Sequence, residues 1–384
     1  MSSEGRLLST DFRTISVSHW NAPLKYVIAV TGIIVCFSLC AAVIERYAAF
    51  GWQGDDFVEF YAAGRLAGSG NLYNLEALRG VEAQHRLGIF SAPFLRMPFY
   101  AWALKPLASL DYRVARGIWF LLGVLAAGVV VAIWPTGSFA DRLVAASWFL
   151  PVAYTIVSGQ DVLLFLLFAA LGARYLENRP SLAGLMFACC AFKYNLTIGL
   201  GVFLLGSRRW RVVAWTALGV AAEIILSFLL EGWSWPAEYL SLLGAPGSDL
   251  GAGGMPNLRG VFSRLPATTI LELACGLLVV WIFWRASWRI DVTTGMALAL
   301  GLGLLIGHHS YLYDISLALP LVMDAMAHVR SRVYVFILLT PPLYLLPWLF
   351  GLREYWFVMS QTIVVGTIVL MAARTLACTT HRER

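Results

Sequence analysis

Long apolar segments recur along most of the chain, and they constrain its fold more than any other feature. A helix needs about 20 apolar residues to cross a bilayer, and several segments reach that length. Of the 384 residues, 59% are hydrophobic and only 13% are charged, whereas a soluble domain carries about 25% charged residues. The sequence therefore excludes a soluble enzyme and predicts an all-α polytopic membrane protein. The clear candidate spans run near 26–44, 113–134, 211–230, 267–287, 332–350 and 355–376.

The rest of the chain indicates a single membrane domain. No linker or low-complexity segment divides residues 26–376, which lie between a polar N-terminal segment, 1–25, and a short tail, 377–384. Arginine-rich segments mark the cytoplasmic side of membrane proteins, so both ends are expected inside and the loops 45–112 and 231–265 outside. Shorter or more polar candidate spans lie near 141–157, 161–177, 292–307 and 311–328.

Two further stretches, 89–110 and 181–206, allow two arrangements. If 89–110 crosses the membrane, 181–206 is one span with Lys193 alone at bilayer depth. If 89–110 instead lies in the outer interface, 181–206 is a hairpin of two half-helices that turns at this lysine, although Arg113 and Arg116 then lie outside. We favour the second arrangement, because an isolated charge in hydrocarbon costs several kcal/mol and broken helices are tolerated around polar cavities. It gives about twelve membrane helices, including the two half-helices.

The basic charge balance does not indicate a nucleic-acid partner. The net charge is +6 and the pI is about 9.0, but the arginines are spread singly and in pairs between apolar runs. The inside-loop bias of membrane proteins produces this pattern without a polyanionic partner. The six cysteines show no metal-ligand spacing with histidine, so we expect them to be small packing residues.

The first outer loop carries a pair of acids, Asp55 and Asp56, just beyond the first span. The residues that follow have helical periodicity, with Phe57, Phe60 and Tyr61 on one side, which is typical of a helix lying in the membrane interface. Asp56 is well placed to cap this helix. Adjacent carboxylates also raise each other's pKa, which suits a general base or a metal ligand. The loop therefore allows either a structural cap or a functional carboxylate.

A polar run at residues 308–314 lies between two apolar spans and contains His309, Tyr313 and Asp314. A histidine near a carboxylate can donate to a phosphate while the acid holds it in one tautomer. The alternative is a polar belt at the interface with tyrosine anchors. A metal site is only weakly indicated, because adjacent histidines on a helix do not face the same way.

Other polar groups are set against apolar surroundings. Lys193 lies within an apolar stretch; an intramembrane cation indicates a functional site, with a phosphate as its natural partner and a snorkelling lysine as the alternative. Gln160 opens a helix together with Asp161, whose carboxylate could simply stabilise the helix N-terminus. The Gly- and Pro-rich late outer loop contains Asn257 and Arg259, and it is either a cover for a ligand or an inert connection.

Short motifs follow one another in order over most of residues 45–320. They are Asp56-Phe-x-x-Phe-Tyr61 with Tyr73, the prolines Pro93, Pro98 and Pro106, Gly159-Gln160, Ala183-Gly184 with Lys193, Asn257, and His309-x-Tyr311-x-Tyr313-Asp314 ahead of Pro320. Their order resembles that of glycosyltransferase family 87, a family of membrane enzymes with the GT-C fold. The resemblance implies a GT-C transmembrane domain with interfacial helices in the first outer loop.

The resemblance also implies an inverting enzyme that uses a polyprenyl-phosphate sugar donor. Known members use mannosyl donors and, in some cases, arabinofuranosyl donors, and we expect mannose here. The acceptor would be a membrane glycolipid or a glycan on the extracytoplasmic side of the bacterial plasma membrane. No cofactor is expected, and a divalent cation would lack a clear ligand set.

Residue roles follow from the same resemblance. GT-C enzymes carry their essential acid in the first outer loop, so Asp56 is the expected general base and Asp55 a lesser candidate. The residues expected to neutralise the departing phosphate are Lys193, His309 and Arg259. Those expected to bind sugar or phosphate oxygens are Gln160 and Asn257. Further candidate site residues are Tyr61, Tyr313 and Asp314.

Two other classes of function stay open. A lipid-linked sugar transporter or flippase also needs a lateral groove and basic contacts to a phosphate. A non-catalytic subunit of a glycan-assembly complex would be active only together with other subunits. Product formation from the lipid donor in proteoliposomes distinguishes these classes from a glycosyltransferase.

Overall fold

The computed structural model describes residues 22–48, 55–85, 93–245, 252 and 255–328. Regular structure in this part of the chain is helical throughout, with no β-strand. Two 3₁₀ segments, Cys189–Leu196 and Leu312–Ala318, interrupt the α-helices. The α-helices are α1 (Ala22–Ala48), α2 (Phe57–Leu66), α3 (Leu75–Ala83), α4 (Pro98–Ala108), α5 (Tyr112–Ile133), α6 (Phe139–Trp148), α7 (Leu150–Ser158), α8 (Val162–Tyr175), α9 (Pro180–Ala188), α10 (Ile198–Gly206), α11 (Trp210–Glu231), α12 (Trp235–Leu243), α13 (Leu258–Phe262), α14 (Thr268–Ala286), α15 (Val292–Ile306) and α16 (Leu319–His328).

Helices α1, α5, α11 and α14 are long and apolar enough to cross a membrane. Their outward side chains are apolar, as lipid contact requires, and Leu229, Ile270 and Leu277 are among the most exposed. These helices confirm the predicted segments near 26–44, 113–134, 211–230 and 267–287. The candidate spans 332–350 and 355–376, together with the tail, lie outside the described residues.

The shorter candidate spans are less regular than the sequence predicts. The stretch 141–157 is divided into α6 and α7 at Phe149, because Pro151 cannot continue a helix that begins before it. Helix α8 has 14 residues and α15 has 15, so each extends about 21 to 23 Å, less than the roughly 30 Å of a bilayer core. The stretch 311–328 begins with a 3₁₀ segment before α16. These stretches therefore do not form continuous helices of full membrane length.

The stretch 181–206 contains a helix break at the predicted position. Helix α9 gives way to the first 3₁₀ segment, in which Lys193 leaves the helical region of backbone space at φ −117° and ψ 57°, and α10 follows. Helix α9 packs against α8 and α11, whereas α10 packs against α14 and α15. The break is thus observed, and the return of both halves to one side of the membrane stays a prediction.

The first outer loop contains α2, α3 and α4, but α2 does not lie on a surface. Phe57 is buried, and so are Val58 and Glu59, which lie off the apolar side of the helix. Helix α4 approaches so closely that a Cβ on Gly64 would lie 2.7 Å from the Cβ of Ala108. Helices α3, α4 and α5 therefore pack around α2, and its location in the membrane interface stays a prediction.

Helix α4 occupies the stretch predicted not to cross the membrane. Its 11 residues extend about 16 Å, roughly half the thickness of a bilayer core. The amide of Phe99 donates to Ser227 Oγ of α11 at 3.2 Å. Helix α4 therefore holds α2 against the side of a long membrane helix.

Close packing of α10 on α15 predicts a selective effect of one glycine substitution. A Cβ on Gly199 would lie 1.9 Å from the carbonyl oxygen of Ala299, so Gly199→Ala must push the two helices apart. We expect the variant to lose about 1 to 3 kcal/mol of unfolding free energy, measured by thermal unfolding in detergent. Gly201→Ala on the same helix is the matched control, because no atom lies within 4 Å of its added Cβ. Equal losses in both variants would contradict the packing described here.

Candidate functional site

A buried ionic network lies where four irregular segments meet. Lys193 Nζ lies 2.6 Å from Asp314 Oδ1 and 3.2 Å from Asp161 Oδ1. Arg96 donates from Nε to Asp161 Oδ2 at 3.0 Å and from Nη2 to Oδ1 at 3.4 Å. The side chain of Arg96 is 13% exposed, and those of the other three are at most 4% exposed. Two cations and two carboxylates therefore compensate one another away from solvent.

Each charge of this network lies at the end or at a break of a helix. Arg96 belongs to the non-helical segment before α4, and Asp161 follows the turn between α7 and α8. That turn depends on Gly159, whose φ of +79° lies in the left-handed region. Lys193 and Asp314 belong to the two 3₁₀ segments. The irregular backbone is therefore what brings the four side chains together.

Asp314 makes contacts both in the ionic network and within its own 3₁₀ segment. Its Oδ1 pairs with Lys193, while Oδ2 accepts a hydrogen bond from the amide of Tyr311 at 2.9 Å. The ring of Tyr313 lies 5.0 Å from Lys193 Nζ, which is within the range of a cation–π contact. Two of the predicted site residues, Tyr313 and Asp314, thus contact a third, Lys193.

The two predicted acids, Asp55 and Asp56, have different surroundings. The Asp55 carboxylate accepts from Arg116 Nε at 2.8 Å and from the hydroxyl of Tyr112 at 2.5 Å. It also accepts from the amide of Phe57 at 3.3 Å. Asp56 occupies the position before α2, but its side chain makes no capping hydrogen bond. The interpretation of Asp56 as a side-chain helix cap is therefore wrong, since Asp55 binds the first amide of the helix.

The start of α2 is attached to the turn between α7 and α8. The amide of Asp56 donates to the carbonyl oxygen of Ser158 at 2.7 Å. A Cβ on Gly159 would lie 2.8 Å from a side chain at the start of α2, so only glycine fits there. Trp119 Nε1 of α5 donates to the carbonyl oxygen of Gly159 at 2.8 Å. These contacts place Asp56 beside the turn that leads to Asp161.

Glu59 is a buried acid that the sequence analysis did not identify. It lies three residues after Asp56 on α2 and is 5% exposed. Its carboxyl group makes no hydrogen bond with any residue in the described part of the chain. Burial raises the pKa of this carboxyl well above its usual range; Arg96 acts in the opposite direction, and the charges of Asp161 and Asp56 act in the same direction as burial. Burial therefore favours the protonated form of Glu59.

Gln160, predicted to bind oxygen atoms of the donor, lies next to the network. It is 7% exposed, and its backbone amide donates to the carbonyl oxygen of Thr155 at 3.1 Å. Its side-chain Oε1 is buried and has no hydrogen-bond partner among the described residues. Buried polar atoms in proteins are nearly always hydrogen-bonded, so this oxygen marks a position where a ligand can bind.

A second polar cluster joins the late outer loop to the run 308–314. Arg259 Nη1 lies 2.7 Å from His308 Nε2, and His308 Nδ1 lies 2.9 Å from Glu272 Oε1. An arginine can only donate hydrogen bonds, so Nε2 is the acceptor and Nδ1–H donates to Glu272. His308 therefore links the guanidinium of Arg259 to the carboxylate of Glu272.

Asn257 holds this cluster to the end of α15. Its side chain is buried, with Oδ1 accepting from the amide of Gly260 at 2.9 Å and Nδ2 donating to the carbonyl oxygen of Gly307 at 2.6 Å. The carbonyl oxygen of His309 accepts from Asn195 Nδ2 at 2.5 Å. The helix break near Asn195 thus contacts both clusters.

The structure separates the predicted site residues into those that lie around the ionic network and those that lie in the late-loop cluster. The first group is Asp55, Asp56, Gln160, Lys193, Tyr313 and Asp314. The second group is Asn257, Arg259 and His309. Tyr61 lies apart from both, and its hydroxyl donates to the carbonyl oxygen of Leu110 at 2.8 Å. Within the described residues, no three His, Cys, Asp or Glu side chains are grouped to hold a metal ion.

The sequence analysis missed Arg96, Asp161 and Glu59 as site residues. Arg96 is given no role from the sequence, and Asp161 is interpreted there only as a possible helix N-terminal charge. Arg96 and Asp161 carry opposite charges on two apolar segments. This pattern could have indicated an ion pair, because buried charges are stable only when paired. Glu59 had no such signal, since its position in the helical pattern allowed exposure.

The fold and this site define a helical polytopic membrane protein with a buried ionic network beside an acid at a helix start. The model of glycosyltransferase family 87 matches residues 94–308. Because this is more than half of the chain, the chain belongs to glycosyltransferase family 87 and is a glycosyltransferase. The match includes Arg96, Asp161 and Lys193, and it ends before Asp314.

A curated protein of Mycolicibacterium smegmatis is similar to this chain. It is described as a polyprenol-phosphate-mannose-dependent alpha-(1-2)-phosphatidylinositol pentamannoside mannosyltransferase. The two chains are 28% identical over 309 residues, which is 73% of each. No solved structure matches the chain.

The ionic network predicts a large loss of stability when its central cation is removed, and a partial recovery when a partner carboxylate is neutralised as well. Lys193→Met leaves two buried carboxylates with one cation, and we expect a loss of about 3 to 5 kcal/mol in unfolding free energy. Adding Asp314→Asn to this variant removes one uncompensated charge and should restore part of the loss. Unfolding of the single and double variants in detergent measures this coupling.

An exposed ion pair provides the control for this experiment. Arg209 and Glu177 lie 2.6 Å apart, with side chains 30% and 54% exposed. Glu177→Gln should therefore cost less than about 1 kcal/mol. A double variant at Lys193 and Asp314 no more stable than Lys193→Met alone would show that the two residues do not compensate each other.

Proposed function

We propose that this glycosyltransferase is inverting and moves mannose from a polyprenyl-phosphate donor to a membrane glycolipid or glycan. The description of the M. smegmatis relative, which specifies polyprenol-phosphate-mannose, supports the donor and the sugar. The observation that carries the proposal is the position of Asp56. This acid lies at the start of an enclosed helix and beside the buried network, and its side chain does not cap the helix.

Asp56 is a better candidate for the general base than Asp55. Asp55 accepts hydrogen bonds from Arg116, Tyr112 and a backbone amide. These contacts join the Asp55 carboxylate to α5 and to the first amide of α2. Asp55 is accordingly proposed to hold the start of α2 in place, while Asp56 takes the proton.

The proposed reaction is a single displacement. Asp56 takes the proton of an acceptor hydroxyl as the hydroxyl oxygen attacks the anomeric carbon of the donor sugar. The new glycosidic bond forms on one face as the bond to the phosphate oxygen breaks on the other, which inverts the anomeric configuration. The polyprenyl phosphate leaves with the electron pair of the broken bond, and the proton passes from Asp56 to solvent.

The charge of the leaving phosphate is proposed to be met mainly by the late-loop cluster. Arg96 and Lys193 are already paired with two carboxylates, whereas Arg259 contacts His308 in the late-loop cluster. Arg259, with His309 nearby, is the cation proposed to meet the phosphate outside the network. Direct phosphate binding by Lys193 stays a prediction, and in this proposal it requires the donor to displace a carboxylate.

The reaction is proposed to take place on the extracytoplasmic face of a bacterial plasma membrane, within one GT-C domain. The segment 207–211, rich in arginine, lies at the start of α11 and is expected on the cytoplasmic side. At the opposite end of α11, Glu231 accepts from the amide of Gly68 at 2.6 Å and from Trp102 Nε1 at 2.8 Å. The first outer loop, which carries Asp56, is thus attached to the end of α11 away from the arginines.

The proposed role of Asp56 predicts a severe loss of activity in Asp56→Asn. An amide cannot accept the proton, so we expect kcat to fall by about 10² to 10⁴, with thermal stability close to that of the wild type. Transfer of labelled sugar from polyprenyl-phosphate mannose by purified protein measures this effect. Exposed Glu238→Gln on α12 is the control and should leave the rate unchanged.

Two outcomes would contradict the proposal. Wild-type rates in Asp56→Asn would remove this acid as the base, and a larger loss in Asp55→Asn than in Asp56→Asn would reverse the assignment of roles. Movement of the donor across liposomes without any glycosidic product would instead indicate a transporter.

A further inference from the structure

One acid near Asp56 is left without a hydrogen-bond partner. In the buried network, Lys193 and Arg96 are compensated by Asp161 and Asp314. Glu59 lies beside this network and is 5% exposed, and its side-chain carboxyl forms no hydrogen bond with the described residues. A largely buried carboxyl group without such a bond can bind a polar ligand that supplies one.

Charged and titratable groups on several neighbouring segments interact electrostatically with Glu59. They are Asp56 on α2 itself, Glu82 on α3, Arg96 before α4, Tyr100 on α4, Asp161 before α8 and Tyr313 in the second 3₁₀ segment. Carboxylates outnumber cations in this set, so an ionised Glu59 would be opposed by its surroundings. A protonated carboxyl group, by contrast, presents one O–H donor and a carbonyl acceptor without adding charge.

A sugar hydroxyl matches these properties better than a phosphate or a cation does. A hydroxyl both donates and accepts, as the protonated carboxyl does. A phosphate placed beside Glu59 would lie close to the carboxylates of Asp56 and Asp161, and like charges in a buried site repel strongly. A cation would compete with Arg96, which already occupies the nearby carboxylate.

Gln160 supplies a second group of the same kind. It follows Gly159, which contacts the start of α2, and precedes Asp161, which pairs with Arg96. Its buried Oε1 has no hydrogen-bond partner in the part of the chain that the structure describes. Helix α2 and the turn before α8 therefore place the carboxyl group of Glu59 and the side-chain oxygen of Gln160 near Asp56.

We propose that Glu59 and Gln160 bind hydroxyl groups of the donor's sugar ring, and that Glu59 makes the site prefer a glycosylated lipid phosphate to the bare lipid phosphate. This inference rests on the proposed function, because it assumes a polyprenyl-phosphate sugar as donor. It adds residues that recognise the sugar to the acid that activates the acceptor. The sugar ring then lies between α2 and the turn before α8, where its anomeric carbon is within reach of chemistry at Asp56.

The test compares the binding of two lipids to the purified full-length protein. The probes are polyprenyl-phosphate mannose and the same polyprenyl phosphate without a sugar. Glu59→Ala should weaken binding of the first lipid by about tenfold and of the second by less than about twofold, because only the sugar contact is lost. Glu59→Gln should stay within about threefold of the wild type for both lipids, since an amide keeps a donor and an acceptor. Exposed Glu76→Gln on α3 is the matched control and should change neither affinity.

The outcomes separate this inference from the proposed function. Equal weakening of both lipids in Glu59→Ala, or no weakening of either, would overturn the role of Glu59 in sugar binding. If the alanine variant does not fold, Glu59→Asp replaces it; withdrawing the acid by one methylene must then reduce the preference for the glycosylated lipid. Failure of the wild-type protein to form product from the donor would contradict the proposed function itself. Normal transfer, with the preference for the glycosylated lipid unchanged in the Glu59 variants, would contradict only this inference.

Discussion

The burial of Lys193 between two carboxylates is the interaction on which the rest of the site depends. A lysine removed from water is stable only if opposite charges replace its hydration, and Asp161 and Asp314 do so at 3.2 and 2.6 Å. Each of these partners comes from a different irregular segment. The helix break, the turn before α8 and the second 3₁₀ segment are therefore stabilised together, because Lys193 in the first lies between carboxylates of the other two.

The same network determines where the candidate base lies. Asp161 pairs with Arg96, which precedes α4, and α4 packs along α2. The turn before Asp161 also receives the start of α2, through the hydrogen bond from the amide of Asp56 to the carbonyl oxygen of Ser158. Asp56 is thus fixed from both ends of its helix by segments that meet at one group of buried charges. A change at Lys193 is expected to reach Asp56 through these contacts as well as through electrostatics.

The features that could be predicted from the sequence are those that depend on local composition. The long apolar helices follow from segment length, and the break at Lys193 follows from the cost of a charge in an apolar run. The enclosure of α2 could not be predicted, because it depends on α4 and α5, and helical periodicity alone does not show which helices will cover a surface. The pair of Arg96 and Asp161 joins residues 65 positions apart, and nothing in one sequence identifies which of several opposite charges will meet. The division of 141–157 could be predicted from the sequence, because Pro151 disfavours a helix that continues through it.

Compensation within the network also suits the chemistry proposed for Asp56. A free lysine or arginine beside a carboxylate stabilises its charged form and makes it a weaker base. Because Asp161 and Asp314 neutralise Lys193 and Arg96, the buried cations can hold the backbone without weakening a nearby base. The cation proposed to meet the leaving phosphate is instead Arg259, which lies with Asn257 and His308 in a separate cluster. The proposed base, Asp56, and the proposed phosphate contact, Arg259, are thus held by different parts of the fold. The surroundings of one can therefore favour proton uptake while those of the other favour binding of an anion.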